Sequence, residues 1–263
     1  MDVSPGVIGA VSAAIAVPIF MGLIGKVKSL QPVKKTEKDF EQLAKEYSKW
    51  EIFALVPLFI FTPAIGFLIW YFLDLASHSI ISNLGENIYL FPPTTAVWVL
   101  PAIFMSIFLA VIPAHYLYLG LLGKQRYSEY TEYGNLKSGM DSWKVLRYMA
   151  YVCIPVCIAF SGLALDCYIR VTEDTFVSND LLSLGERTHN FDEIGSIELT
   201  KSFKAPNGNI VRRSYYAIEF KNGYVYEFDD SLSEVGFEQQ REIISYITKG
   251  STALVKVNDP YPN

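Results

Sequence analysis

Lysine and arginine are missing from Ala76–Thr95 and from Met1–Gly6, in a 263-residue chain that carries 22 of them elsewhere. Cysteine is scarce too. The three present, Cys153, Cys157 and Cys167, lie so close together that no disulfide framework can staple the rest of the C-terminal region. Charged residues make up 19% of the chain against 51% hydrophobic, a poor balance for a soluble domain of this length. There is no Gly-rich phosphate loop, no Cys or His pair at metal spacing, no Gly-x-Ser-x-Gly elbow and no acid pair on a common rigid element. The expectation is a protein that is not an enzyme and holds no cofactor or metal.

What the sequence does have is four long apolar runs, Val7–Gly25, Ile52–Leu75, Ala96–Leu122 and Tyr148–Leu165, each near the roughly 20 residues that cross a bilayer as a helix. The segment after the first run carries Lys26, Lys28, Lys34, Lys35, Lys38, Lys45 and Lys49. The segment after the third carries Lys124, Arg126, Lys137, Lys144 and Arg147. Basic residues near helix ends stay on the cytoplasmic side, so these segments are expected inside and both termini outside. The first run has its positive charge after it rather than before it, which favours a retained helix over a cleaved signal. The expected architecture is a four-helix transmembrane domain, 1–166, followed by a small α+β domain, 167–263, in a bacterial inner membrane.

The helices contain Pro18, Pro57, Pro63, Pro101, Pro113 and Pro155, which invite kinks that neighbouring helices can re-satisfy. Ionisable residues in such runs are the default functional candidates, here Asp74, His115 and Asp166. The inferred topology puts both acids at the outer interface and His115 about two turns from the inner one, so they do not form a continuous proton relay. Interfacial anchoring suits the acids, and a hydrogen bond to a neighbouring helix suits His115. Cys153 and Cys157 share a helix face without a His or carboxylate beside them, which reads as packing. Lipid exposure, pairing between chains and a free thiol all remain open for Cys167.

Between the first two runs, Thr36-Glu37-Lys38-Asp39 resembles a capping box, and Phe40, Leu43, Tyr47 and Trp50 follow on one helical face. The expectation for 36–50 is an amphipathic helix in the headgroup region with its lysines toward anionic lipid. Tyr127, Tyr130 and Tyr133 read as an aromatic belt.

After Cys167 the period changes from 3.6 to 2. Strands are expected at Cys167–Thr172, Leu181–Leu184, Ile194–Thr200, Tyr215–Phe220 and Tyr224–Phe228. A three-residue loop with Gly223 left-handed pairs Phe220 with Tyr224, Ile218 with Tyr226 and Tyr216 with Phe228, putting all six on one face. A helix from Gly236 then covers that face with Phe237, Ile243, Ile244 and Ile247, ending at Lys249-Gly250. His189 falls in the turn-like Glu186–Asn190, a solvated hairpin end.

The phrases Tyr168-Ile169-Arg170-Val171-Thr172, Phe191-Asp192-Glu193-Ile194-Gly195-Ser196-Ile197 and Ile218-Glu219-Phe220-Lys221-Asn222-Gly223 resemble bacterial pleckstrin-homology-like domains fused to membrane helices, over roughly the last ninety residues. The resemblance implies a curled antiparallel sheet closed by one C-terminal helix and used for binding or assembly. The five or six strands depart from that family's seven. Domains of that family often face the cytoplasm, whereas the charge count sends this one outward.

From Val171 onward there are fifteen acidic and nine basic residues, so nucleic acid is not an expected partner. Membrane lipid, a protein at the outer face and a second copy of the chain are. Asp229, Asp230 and Glu234 form a candidate acidic loop for a protein partner, a solvated loop being the plainer reading. Two functions suit these features: a scaffold whose outer β-domain binds an envelope component, or an immunity protein against a membrane-active or periplasmic toxin. A small transporter or channel component comes third.

Overall fold

The structure, a computed structural model, describes residues 35–181, 183, 185–205, 208–229, 232–233 and 235–260. The expected first helix, Val7–Gly25, lies outside the described residues. A short helix α1 (Phe40–Tyr47) precedes three long ones, α2 (Trp50–Ile81), α3 (Val99–Ser138) and α4 (Ser142–Leu165). All three long helices are apolar and long enough to cross a membrane. Phe59, Phe67 and Phe72 of α2 are exposed, an apolar surface of the kind that suits lipid.

Hydropathy ends the third run at Leu122, and the next residue, Gly123, leaves the helix at φ 74° and ψ 164°. Only glycine takes that backbone without strain. The break divides α3 into an apolar part and a polar extension up to Ser138. Pro57, Pro63, Pro113 and Pro155 all lie inside helices.

The chain divides into two compact units, one made of Met1–Phe67 with Ala102–Cys157 and the other of Leu68–Pro101 with Ile158–Asn263. In the first, the cap of α1 lies three residues later than the sequence pattern indicates. The cap is Asp39, whose carboxylate accepts the Gln42 N–H at 2.9 Å while the Gln42 side chain accepts the Asp39 N–H at 3.4 Å. A box at Thr36 would need Asp39 to reach back, and its side chain is one carbon short of a Glu. Glu132 instead accepts the N–H groups of Lys35 (2.8 Å) and Thr36 (3.2 Å).

The apolar face of α1 is covered by protein, which corrects the expectation of a helix resting on headgroups. Leu43 and Tyr47 are buried with Tyr133, and Tyr130, Leu136 and Trp50 pack around them. The tyrosines read as an aromatic belt are therefore the covering face, since Tyr130 and Tyr133 stand three apart on one side of the α3 extension.

The second unit holds the β-rich region, two curled sheets and a helix. Sheet A runs β1 (Tyr89–Phe91), β2 (Tyr168–Val171), β3 (Thr175–Asn179), β4 (Arg187–Asn190), all antiparallel. Sheet B comprises β5 (Ile194–Thr200), β8 (Tyr215–Phe220), β9 (Val225–Glu227) and β10 (Leu254–Asn258) in the order β10-β5-β8-β9, with β10 parallel to β5. A small hairpin, β6 (Phe203–Lys204) with β7 (Ile210–Val211), interrupts the route from β5 to β8. Helix α5 (Phe237–Gly250) buries Ile243, Ile244 and Ile247 against Ile169, Val171 and Phe176 of sheet A and Ile197, Ile218 and Phe220 of sheet B. At about 25 cal/mol per Å² of apolar surface, this core dominates the unit's stability.

The hairpin forms as its side-chain pattern requires: Ile218 pairs with Tyr226, the Phe220 N–H donates to the Tyr224 carbonyl, and Gly223 has φ 85°. The expected strand at Leu181–Leu184 does not form at the described positions 181 and 183, where the chain turns between β3 and β4, and Leu182 and Leu184 lie outside the described residues. The strands lie instead at Thr175–Asn179 and Arg187–Asn190. Nine strands among the described residues after Cys167 exceed the expected five or six, because several are only two to four residues long.

The central strands of sheet A, β2 and β3, are covered on both faces. Ile169, Val171 and Phe176 point into the main core, while Tyr168 and Val177 on the opposite face close over Ile81, with Leu84 and Leu90 beside them. The end of α2 and the loop after it thus form the floor of the sheet, and the same loop contributes β1 as its edge.

Candidate functional site

Where α4 ends and β2 begins, the chain builds a polar latch. Asn179 at the end of β3 donates through Nδ2 to the Asp166 backbone oxygen (2.7 Å) and to Asp166 Oδ2 (2.9 Å), and its Oδ1 accepts from Ser183 Oγ (2.5 Å). Arg170 on β2 donates through Nη1 to the Leu84 carbonyl at 2.7 Å and lies 3.6 Å from Glu186, whose carboxylate also accepts from the Tyr168 hydroxyl. Burial, with that bond, pushes the Tyr168 phenol up. Asp166, expected as an interfacial anchor, is thus one of the residues fixing the helix end to the sheet.

Next to the latch, burial raises the Asp180 carboxyl, opposed by the charge of Arg187 and a long hydrogen bond from the Tyr224 hydroxyl at 3.5 Å. The Arg187 guanidinium sits 4.7 Å from the centre of the Tyr224 ring. Cys167 is buried, which removes the lipid-exposed alternative; its Sγ–H donates to the Leu163 carbonyl at 3.4 Å, and burial pushes its thiol up to about 12.

His189 corrects the reading of a solvated hairpin end. It lies in β4, buried, stacked on Phe220 at 3.9 Å and Tyr224 at 5.4 Å, with Nδ1 3.4 Å from a Glu193 carboxylate oxygen. Thr188 and Asn190 alternate outward around it, and that period-2 pattern is the signal that marks a strand there.

The other candidates are not brought together. Asp74 Oδ2 is 3.8 Å from His78 Nδ1, one turn along α2. His115 bonds not to a neighbouring helix but across the Gly123 break to the Tyr127 hydroxyl (2.7 Å) of its own helix's extension, with the Trp143 ring edge-on at 4.9 Å. The break turns a residue twelve positions on back toward the histidine. In the acidic loop, Asp229 is paired with Arg213 at 3.0 Å and mostly buried, so its charge is already matched; Asp230 and Glu234 lie outside the described residues. Among the described residues no group of three or more His, Cys, Asp or Glu is placed to hold a metal ion.

The first unit carries a charge network around α1. Lys38 Nζ bridges Glu129 (2.6 Å) and Glu46 (2.9 Å), Glu129 accepts from the Tyr47 hydroxyl (2.7 Å), and Lys137 grips Glu51 at 2.7 Å. Hydrogen bonds to Glu129 and Glu46 hold the Lys38 ammonium above its ordinary range, and the bond from Lys38 holds Glu46 below its own. These are matched pairs with the chemistry of a clamp.

Two surfaces of the second unit are open. One is a cleft of about 400 Å³ lined by Tyr89, Glu238, Arg241, Glu242, Ser245, Tyr246 and Lys249, with charges of both signs on its rim. The other is β10, exposed at all five positions and apolar at Leu254, Val255 and Val257. Its run Leu254-Val255-Lys256-Val257 carries the β-branched signature that marks a strand, although it follows the helix. Comparison of the chain with protein-family models, with curated proteins and with solved structures returned no match.

Proposed function

We infer that the protein is an integral membrane scaffold that presents its β-rich unit, a pleckstrin-homology-like domain on the extracytoplasmic side, as a docking module for a protein partner. The observation that carries this reading is the double cover of the central strands of sheet A: the sheet's second face rests on Ile81 and Leu84, and β1 from the loop after α2 completes it. A domain joined to helix ends by one flexible link explores many orientations. This one is held by a strand, a hydrophobic floor and the Arg170–Leu84 bond, so a partner meets a surface already fixed in place. The curled sheets and the helix packed on them support the pleckstrin-homology-like part of this reading, from which β10 departs by following the helix and running parallel to β5. The absence of Lys and Arg from Ala76–Thr95, which supplies β1, supports the outward side.

Reporter fusions after Asn263 and within 125–141 test the sidedness and are expected to report opposite compartments, with Asn263 outside; a cytoplasmic reporter at Asn263 overturns it. Photo-cross-linking residues placed in turn over the exposed positions of the β-rich unit in living cells test the docking. At least one position is expected to yield a defined cross-linked protein, and a scan with no product ends the scaffold reading.

A further inference from the structure

Strand β10 pairs with β5 along one edge, and among the described residues the sheet order leaves its other edge without a neighbour. The Asn258 carbonyl accepts the Lys201 N–H at 3.0 Å, on the β5 side. Backbone groups of alternate residues point to opposite edges of a strand, so Leu254, Lys256 and Asn258 face β5 and the N–H and C=O groups of Val255 and Val257 face the open side. The side chains divide likewise. Val255 and Val257 stand beside Ile197 and Leu199 and extend the core face past the cover of α5, while Leu254 and Lys256 stand beside Ser196 and Glu198 on the other face.

Edges are commonly blunted by proline, bulges, several charges or a covering element. Leu254–Asn258 contains no proline and pairs with β5 without a register shift, and Leu254, Val255 and Val257 are 75%, 44% and 60% exposed. Its single charge, Lys256, makes no ion pair among the described residues. That charge selects the occupant. A second copy pairing symmetrically along all five residues would place its axis through Lys256 and set two ammonium groups directly opposite each other, a destabilising arrangement. Shifting the axis to Val255 or Val257 avoids the clash but shortens the pairing.

We propose that β10 is a docking edge that takes up an extended segment of a protein partner by strand addition, with a carboxylate opposite Lys256 and β-branched residues opposite Val255 and Val257. It deepens the scaffold reading and rests on it. For an antiparallel partner the pattern is polar, β-branched, acidic, β-branched, apolar.

The full chain in detergent micelles, with a short end-blocked peptide of core Thr-Val-Glu-Val-Leu as probe, tests this by fluorescence anisotropy. Replacing the peptide's Glu by Lys is expected to weaken binding about fivefold. Val255→Pro in the protein removes a donor that faces only the open edge and is expected to weaken binding about tenfold while leaving Cys167 protected from alkylation. Lys256→Glu is expected to reverse the preference between the two peptides. The proposal is overturned by no binding, or by binding that neither protein variant alters. Self-association of the chain that Val255→Pro abolishes overturns it in favour of a second copy. If the edge fails while cross-links form elsewhere on the β-rich unit, the docking edge falls and the scaffold reading stands.

Discussion

The cluster around α1 closes over three buried apolar residues ringed by ion pairs, whereas the core beneath the sheets closes over fifteen, with Arg170, Asp180 and His189 as charged or titratable neighbours. Both are rich in aromatic rings, so composition does not separate them. The difference is in what a perturbation reaches. Exposed pairs such as Lys38–Glu46 are weakened by salt and hold little by themselves, while a close-packed core responds to the loss of a single methylene. The α1 cluster is therefore the more adjustable of the two and the sheet core the stiffer.

The largest test of that contrast is Ile218→Ala, at the centre of the fifteen-residue core. It is expected to cost about 2–5 kcal/mol and to open Cys167 to maleimide, with protease cleavage in 35–50 unchanged. Leu43→Ala inverts the outcome. It is expected to cost about 2–3 kcal/mol locally and speed cleavage in 35–50, leaving Cys167 protected; exposure of Cys167 in this variant would show the two units to be one. Gly250→Ala is smaller. A methyl there would come within 2.9 Å of the Phe191 ring, so a loss of about 1–3 kcal/mol is expected in the thermal midpoint, relieved when Phe191→Leu is added.

The smallest effect concerns Asp180. Burial raises its carboxyl above the reference of 3.8, so the folded state holds the proton more tightly than the unfolded chain does. The stability this brings is present below pH 3.8 and is lost as pH rises through the raised value. Asp180→Asn is expected to raise the thermal midpoint at pH 7 and leave it unchanged at pH 3. Equal shifts at both values would exclude burial as the cause.

Much of this contrast could be read from residue order alone, and the rest could not for identifiable reasons. The apolar runs gave α2, α3 and α4 because twenty apolar residues have few other destinations, and the Ile218–Tyr226 register followed because one alternative buries Glu227. The clamp on α1 was hidden because an amphipathic face states that something covers it and not what. The strand at Tyr89–Phe91 was hidden because three residues before Pro92-Pro93 carry no measurable period, and its partner lies far along the chain. Of the candidate site residues, Asp166 was legible as an acid at a helix end, but its partner Asn179 sits in a strand whose buried Ser178 and Asn179 break the alternation.

The pairing of β1 with β2 also sets an order of events during synthesis. Tyr89–Phe91 leaves the ribosome roughly eighty residues before Tyr168–Val171, with α3 and α4 still to come. Sheet A consists of β1 alone until α4 has been made, because β2, β3 and β4 all follow that helix. Closure of the sheet therefore waits on the two helices that separate its edge strand from the rest. Until then β1 and the floor at Ile81 lack the cover that Tyr168 and Val177 give them in the finished fold.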